Sequence, residues 1–290
     1  MIPRNFSRFL TVCIMGALSI FLLTPVHGQA GKSLGVSLSL YDFPKTALKQ
    51  IGQASQIYVE SVRLPMDWNI VEPEQGKFQW SDYEMLVSAA KRRGFEVVGV
   101  FGPTAQWASS AGENEPAEVR AVKMPADWAE WRNYVKETVV HFRQEISYWQ
   151  VWEAFDFEHF RASGRQIPIL ARQTYLAVRA ADPGSRLILP GPGGIDLAWI
   201  QHLRDDMAWK YFDVIGGRPF VQPAEETVRE VAILHSLMED GAAKPVWILG
   251  ESKGLCVDEE TGGITAAELR NMVLSGLVDR AFVSARMGRV

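Results

Sequence analysis

Two groups of carboxylates stand where apolar runs end. Val246 to Leu249 is an uninterrupted branched and aromatic run, entered through Pro245 and left through Gly250 and Glu251. A run of this kind reads as a strand buried on both faces. Tyr148 to Trp152 reads as another, and it opens into Glu153, Ala154, Phe155, Asp156 and Glu158. Parallel α/β folds gather their ligands at the C-terminal ends of strands, so an acidic side chain there is a candidate for chemistry. The ordinary fate of such a residue is a solvated loop. Two carboxyl groups held about 5 to 5.5 Å apart have another use: one attacks an anomeric carbon while the other protonates the leaving oxygen.

Bringing residues 153 and 251 together is the task of the elements between them. Strand-like runs occur at Leu34 to Leu40, Tyr58 to Leu64, Glu96 to Phe101, Tyr148 to Trp152, Arg186 to Leu189, Phe212 to Ile215, Val246 to Leu249 and Ala281 to Ser284. Helical periodicity fills the gaps. Ser81 caps a segment that stops at Gly94, and Trp128, Trp131, Tyr134, Val135, Val139 and Phe142 form one apolar stripe. Tryptophans on such a stripe belong to a core. Eight strands alternating with helices call for a single-domain α/β fold, the right-handed (β/α)8 or TIM barrel, over residues 31–290. A doubly wound open sheet is the runner-up, but no Gly-x-Gly-x-x-Gly follows the first strand. The sequence stops soon after the eighth strand, so the closing helix of the barrel is expected to be missing.

Residues 1–30 have the parts of a secretory signal: Arg4 and Arg8, the apolar run Phe9 to Leu23, and a small-residue exit near Gly28 or Ala30. The run is short for a membrane span of about 20 residues. The expectation is a secreted or periplasmic protein with no membrane attachment after cleavage. Cys13 leaves with the signal and Cys256 has no partner, which excludes an internal disulfide. The net charge of -4 and the lack of a basic run exclude nucleic acid as a partner. Ten tryptophans favour carbohydrate, since indole faces stack on sugar rings. His141, His159, His202 and His235 show neither His-x-His nor His-x-x-x-His spacing, so no metal or other cofactor is called for.

Longer motifs are more specific. Val62-Arg63-Leu64 with Trp68, followed by Glu72-Pro73-Glu74-Gln75-Gly76-Lys77-Phe78, resembles a segment of the large barrel clan of retaining glycoside hydrolases. Within the clan the β-xylosidase and iduronidase type, family 39, is nearest, with families 42 and 5 as relatives. Trp149-Gln150-Val151-Trp152 is similar to the approach to that clan's strand-four Asn-Glu pair, Pro245-Val246-Trp247-Ile248 with Glu251 to its nucleophile segment, and Gly102-Pro103 to Trp107 to its Pro-x-Trp loop. The resemblance implies an exported protein acting on or binding an oligo- or polysaccharide, with Glu251 as nucleophile. It makes Arg63 the cation that keeps Glu251 ionised, which is physically sound because a guanidinium lowers a carboxylate's pKa and fixes its rotamer. Trp68, Trp107, Trp152, Arg218 and Phe220 are then expected to contact substrate.

The chain departs from the family at two chemical positions. Ala154 occupies the place of the acid/base, and Phe220 stands where a tyrosine would hydrogen-bond the nucleophile. Glu153 is one residue early, and a one-residue shift in a strand turns a side chain to the opposite face unless a bulge restores its aim. Asp156 is a more distant substitute. Two readings follow: a working glycosidase with Glu251 and Glu153, or a catalytically impaired homologue that binds a polysaccharide or a partner protein.

Overall fold

A computed structural model of the chain describes residues 33–56, 59–152, 166–191, 197–217, 224–238, 243–249 and 266–284. The expected leader at residues 1–30 lies outside them, as do Glu153, Ala154, Asp156, His159, Arg218, Phe220, Glu251 and Cys256. Eight parallel strands, β1 (Ser33–Ser37), β2 (Ser61–Met66), β3 (Glu96–Phe101), β4 (Ile146–Val151), β5 (Arg186–Pro190), β6 (Val214–Gly217), β7 (Val246–Ile248) and β8 (Arg280–Ser284), pair in sequence order. β8 returns to β1 in the register Ser33↔Arg280 through Ser37↔Ser284, which closes the barrel. An open sheet would leave β1 and β8 as unpaired edges, so the doubly wound alternative is overturned. Closure rests on this direct pairing. Residues Gly31–Val290 form one compact unit.

The helices are α1 (Lys45–Ala54), α2 (Trp68–Val71), α3 (Ser81–Lys91), α4 (Ala117–Ala121), α5 (Trp128–Phe142), α6 (Gln166–Ala181), α7 (Leu197–Asp205), α8 (Ala224–Leu237) and α9 (Ala266–Leu274). α5 begins where Asp127 accepts a hydrogen bond from the Ala129 amide, the ordinary N-terminal cap. Its stripe buries Trp131, Tyr134, Val135, Val139 and Phe142 against the sheet, while Trp128 packs there partly exposed. The stretch from Gly102 to Pro125, read from sequence as one long loop, contains a 3-10 turn at Gln106–Ala108 and α4.

Alternation along the strands divides the core in two. Val98, Ile188, Val214, Trp247, Leu249 and Phe282 fill the lumen, with Tyr148 against them. Val246 and Ile248 face outward into the layer between sheet and helices. β7 is therefore buried on both faces, as its composition requires. Packing between neighbouring strands is tight enough that a Cβ at Gly99 on β3 would lie 2.4 Å from the ring of Trp149 on β4. At the N-terminal mouth Arg280 pairs with Glu96 and lies between the Tyr148 and Trp247 rings, 4.8 and 4.6 Å from their centroids. That end of the lumen is plugged by a cation with aromatic faces on it.

β2 runs two residues past its expected end. The run Tyr58 to Leu64 places its end before Pro65, yet Pro65 and Met66 remain in the strand, opposite Val100 and Phe101. β1 pairs with β2 only as far as Ser37↔Arg63, so Pro65 lies where the ladder to β1 has already ended and a missing N–H is tolerated.

Candidate active site

Ser37, Arg63 and Gln150 point into the lumen at the ends of β1, β2 and β4, opposite to the Arg280 plug. All three are buried, Arg63 at 1 % exposure and Gln150 at 0 %. Arg63 Nε donates to Ser37 Oγ at 2.9 Å, and its Nη1 donates to Gln150 Oε1 at 2.9 Å. The Gln150 amide in turn donates from Nε2 to the carbonyl of Trp152 at 2.5 Å. A guanidinium with so little water around it demands fixed acceptors, and this network supplies them from two strands.

Trp152 is the unusual residue at the end of this chain of bonds. Its φ is 60°, in the left-handed region that a bulky side chain seldom enters. Tyr148 and Gln150 face the lumen and Trp149 and Val151 face outward, so a regular strand would send residue 152 inward. Instead the Trp152 ring packs outside the sheet, stacked 6.0 Å from Trp131 and lying beside Gly102. The alternation has slipped by one residue at Trp152. Strain of this kind costs on the order of 1–3 kcal/mol and persists only where surrounding structure holds it.

The three tryptophans expected at the substrate are placed unequally. Trp68 is fully buried, stacked 4.9 Å from Tyr134 and edge-on to Trp107 and Trp131. Trp152 is 4 % exposed and lies in the same outer layer. Trp107 is the member of the three with accessible surface, and its indole nitrogen is fixed by the carbonyl of Glu72 at 2.9 Å. Trp68 and Trp152 are buried, both rings filling the gap between sheet and α5.

The Glu-Pro-x-x-Gly-x-Phe motif is accounted for by a turn. Glu72 is fully buried, accepts from the Trp68 indole at 2.7 Å with one oxygen and from the Gly76 amide at 2.6 Å with the other. Gly76 has φ 75°, which explains the glycine. Burial pushes the Glu72 carboxyl above its ordinary 4.5; the Trp68 and Gly76 bonds act against that, and the Glu130 charge adds to it. A carboxyl with a raised folded pKa contributes stability that is present below about pH 4.5 and lost as pH rises through the folded value. Glu72→Gln removes an acceptor from two donors and is expected to cost about 1–3 kcal/mol. Urea unfolding across a pH series checks this: the difference from wild type should be largest in acid and shrink as pH rises.

Other polar groups hold the surrounding loops. Tyr134 donates its hydroxyl proton to the Met66 carbonyl and accepts from the Gly102 amide at 3.3 Å, joining the ends of β2 and β3. Burial drives its pKa well above the ordinary 10.0, so it remains a donor. Asn69 accepts from the Gln106 amide at 2.8 Å and so ties α2 to the loop that carries Trp107. His141, His202 and His235 lie on α5, α7 and α8, where His141 meets Glu84 at 2.9 Å and His235 meets the Leu277 carbonyl at 2.9 Å. Among the described residues no group of three His, Cys, Asp or Glu side chains could hold a metal ion, and no helix is long and apolar enough to cross a membrane.

No protein-family model matches the chain. Solved structures do. A family 39 glycoside hydrolase from Bacteroides cellulosilyticus WH2 superposes with a TM-score of 0.68 at 18% identity, over 87% of this chain and 56% of that one. A monomeric β-xylosidase from Caulobacter crescentus CB15 gives 0.65 at 16% identity, over 88% and 61%. The chain has the barrel fold of the family 39 glycoside hydrolases. Xylanase B from Clostridium stercorarium F9 is similar over 88% of this chain and 85% of its own, with a TM-score of 0.56 and 16% identity. The chain therefore spans little more than half the length of the first of these glycoside hydrolases.

In a glycoside-hydrolase-like barrel the residues that matter at the strand ends include some that sequence reasoning did not single out. Gln150 and Ser37 are the described hydrogen-bond partners of Arg63. A signal for Gln150 was present, since an amide inside the apolar run Tyr148 to Trp152 has to find partners when buried. Nothing comparable marks Ser37.

Proposed function

We propose that this chain is a retaining glycosidase acting on an oligo- or polysaccharide at the C-terminal face of its barrel, with Glu251 as nucleophile and Glu153 as a displaced acid/base. The observation that carries this reading is the slip at Trp152. Regular alternation from Gln150 would send residue 153 out of the lumen, and the left-handed Trp152 breaks that alternation immediately before it, which supports a displaced acid/base. The inward-facing Leu249 at the end of β7 supports Glu251 in the same way, since residues two apart share a face. Arg63 would orient Glu251 and keep it ionised, Trp107 would stack on a sugar, and Arg218 and Phe220 would line the rim beyond β6. We further propose that residues 1–30 export the protein to the periplasm or the medium. The names of two of these neighbours, β-xylosidase and xylanase, favour a xylose-containing substrate class.

A second reading is favoured by Ala154 and by the hydroxyl absent at Phe220: a barrel that binds glycans without cleaving them. The two are separated by incubating the protein with a panel of activated aryl glycosides and with the matching natural glycans. Turnover of both classes with retention of configuration is expected. Turnover of aryl glycosides alone would show a nucleophile without an acid, and glycan binding with no turnover of either class would establish the second reading.

A further inference from the structure

We infer that Gln150 is a positioning residue that sets the outlet of β4 and couples it to Arg63; the inference rests on the glycosidase reading above. Gln150 is the one side chain in the described network that touches both halves of the site. Its Oε1 accepts from the Arg63 guanidinium and its Nε2 donates to the Trp152 carbonyl. It has no exposed surface, so neither bond competes with bulk water.

The second bond is the informative one. Trp152 sits at φ 60°, a conformation that needs outside support. Stacking on Trp131 and packing beside Gly102 hold the ring, but they act on the side chain only. The Gln150 amide acts on the backbone, at the peptide group that joins Trp152 to residue 153. It therefore fixes the direction in which the chain leaves β4. The first bond fixes the amide itself: Arg63 is anchored to β1 through Ser37, and Gln150 is oriented by Arg63 so that its NH2 faces the carbonyl. A displacement of the guanidinium thus reaches the outlet of β4 through the Gln150 side chain. An amide suits this position because one end must accept and the other must donate.

The test uses the full chain and compares wild type with Gln150→Met, Gln150→Glu and Glu251→Ala. Activated aryl glycosides give kcat and KM, and hydrogen exchange reports the amides just after β4. Methionine keeps the volume and loses both bonds, while glutamate keeps the acceptor for Arg63 and loses the donor to Trp152. Both are expected to raise exchange after Trp152 and to lower kcat about 10²-fold with KM unchanged, as misplacement of a reacting group by about 1 Å does. Unchanged exchange in Gln150→Met would overturn the inference, and so would full recovery of kcat in Gln150→Glu, which would leave only the Arg63 bond as relevant. If Glu251→Ala abolishes turnover while both Gln150 variants behave as wild type, the inference fails and the glycosidase reading survives. If wild type turns over no glycoside, the reading fails and the role of Gln150 in it fails too.

Discussion

Glu251→Ala is expected to abolish turnover of activated aryl glycosides, by about 10⁴- to 10⁶-fold, the scale on which removal of one member of a covalent catalytic unit acts. Loss of the carboxylate also removes the proposed partner of the buried Arg63 guanidinium, so turnover is compared at a temperature at which a thermal melt shows both proteins folded. Glu153→Gln should behave differently. An aryl leaving group that departs as a stable anion needs no proton, so the first step is spared, whereas hydrolysis of a natural glycan loses the roughly 10²- to 10⁴-fold that general acid catalysis supplies. The contrast is diagnostic because it depends on leaving-group basicity and not on folding. Equal activity of Glu251→Ala and wild type on every substrate would remove Glu251 from the chemistry. Because the same residue serves as base when water attacks the glycosyl-enzyme, the comparison is made in kcat/KM, which reports the first step; equal loss of kcat/KM on both substrate classes would assign that residue to something other than proton transfer.

Much of the barrel was legible because burial on both faces leaves a simple mark in parallel strands. Glu96 to Phe101 is an apolar run following Gly94, and its limits in the sequence and in the structure coincide. β2 was read short because proline is a strand breaker wherever both ladders need its N–H, and the sequence does not reveal that β1 has ended by then. Arg63 was legible through its motif, since Val62-Arg63-Leu64 with Trp68 resembles a segment of the glycoside hydrolase clan. Its described partners were not, because Ser37 and Gln150 reach it from strands 26 and 87 residues away. The left-handed turn at Trp152 was not legible at all. No local propensity favours it in tryptophan; it is imposed by packing on Trp131 and by the amide of Gln150. The Glu-Pro-x-x-Gly-x-Phe motif was legible as a resemblance, but its residues serve the turn that caps Trp68 more directly than they serve a substrate.

That division predicts how the tryptophans differ. Trp68→Ala is expected to destabilise the fold by about 3–5 kcal/mol, the range for removing a buried large aromatic side chain. For a chain of this size the loss corresponds to a fall in melting temperature on the order of 10 °C. The cost has two parts. The ring fills the space between Trp107, Trp131 and Tyr134, and its truncation opens a cavity that none of them can close without leaving its own contacts. Its indole N–H also satisfies the buried Glu72 carboxylate, which would be left with the Gly76 amide. Trp68→Phe separates the two: it refills most of the volume and should recover the cavity cost while leaving the carboxylate short of a donor, a residual of about 1–3 kcal/mol. Trp107→Ala should show the opposite balance, a smaller change in melting temperature and a clear rise in KM, because part of its ring is free to meet a sugar. Thermal melts and steady-state kinetics on the three variants decide the assignment. A Trp68→Ala protein that melts like wild type but has lost substrate affinity would return Trp68 to the binding surface and require a cleft that reaches behind α2.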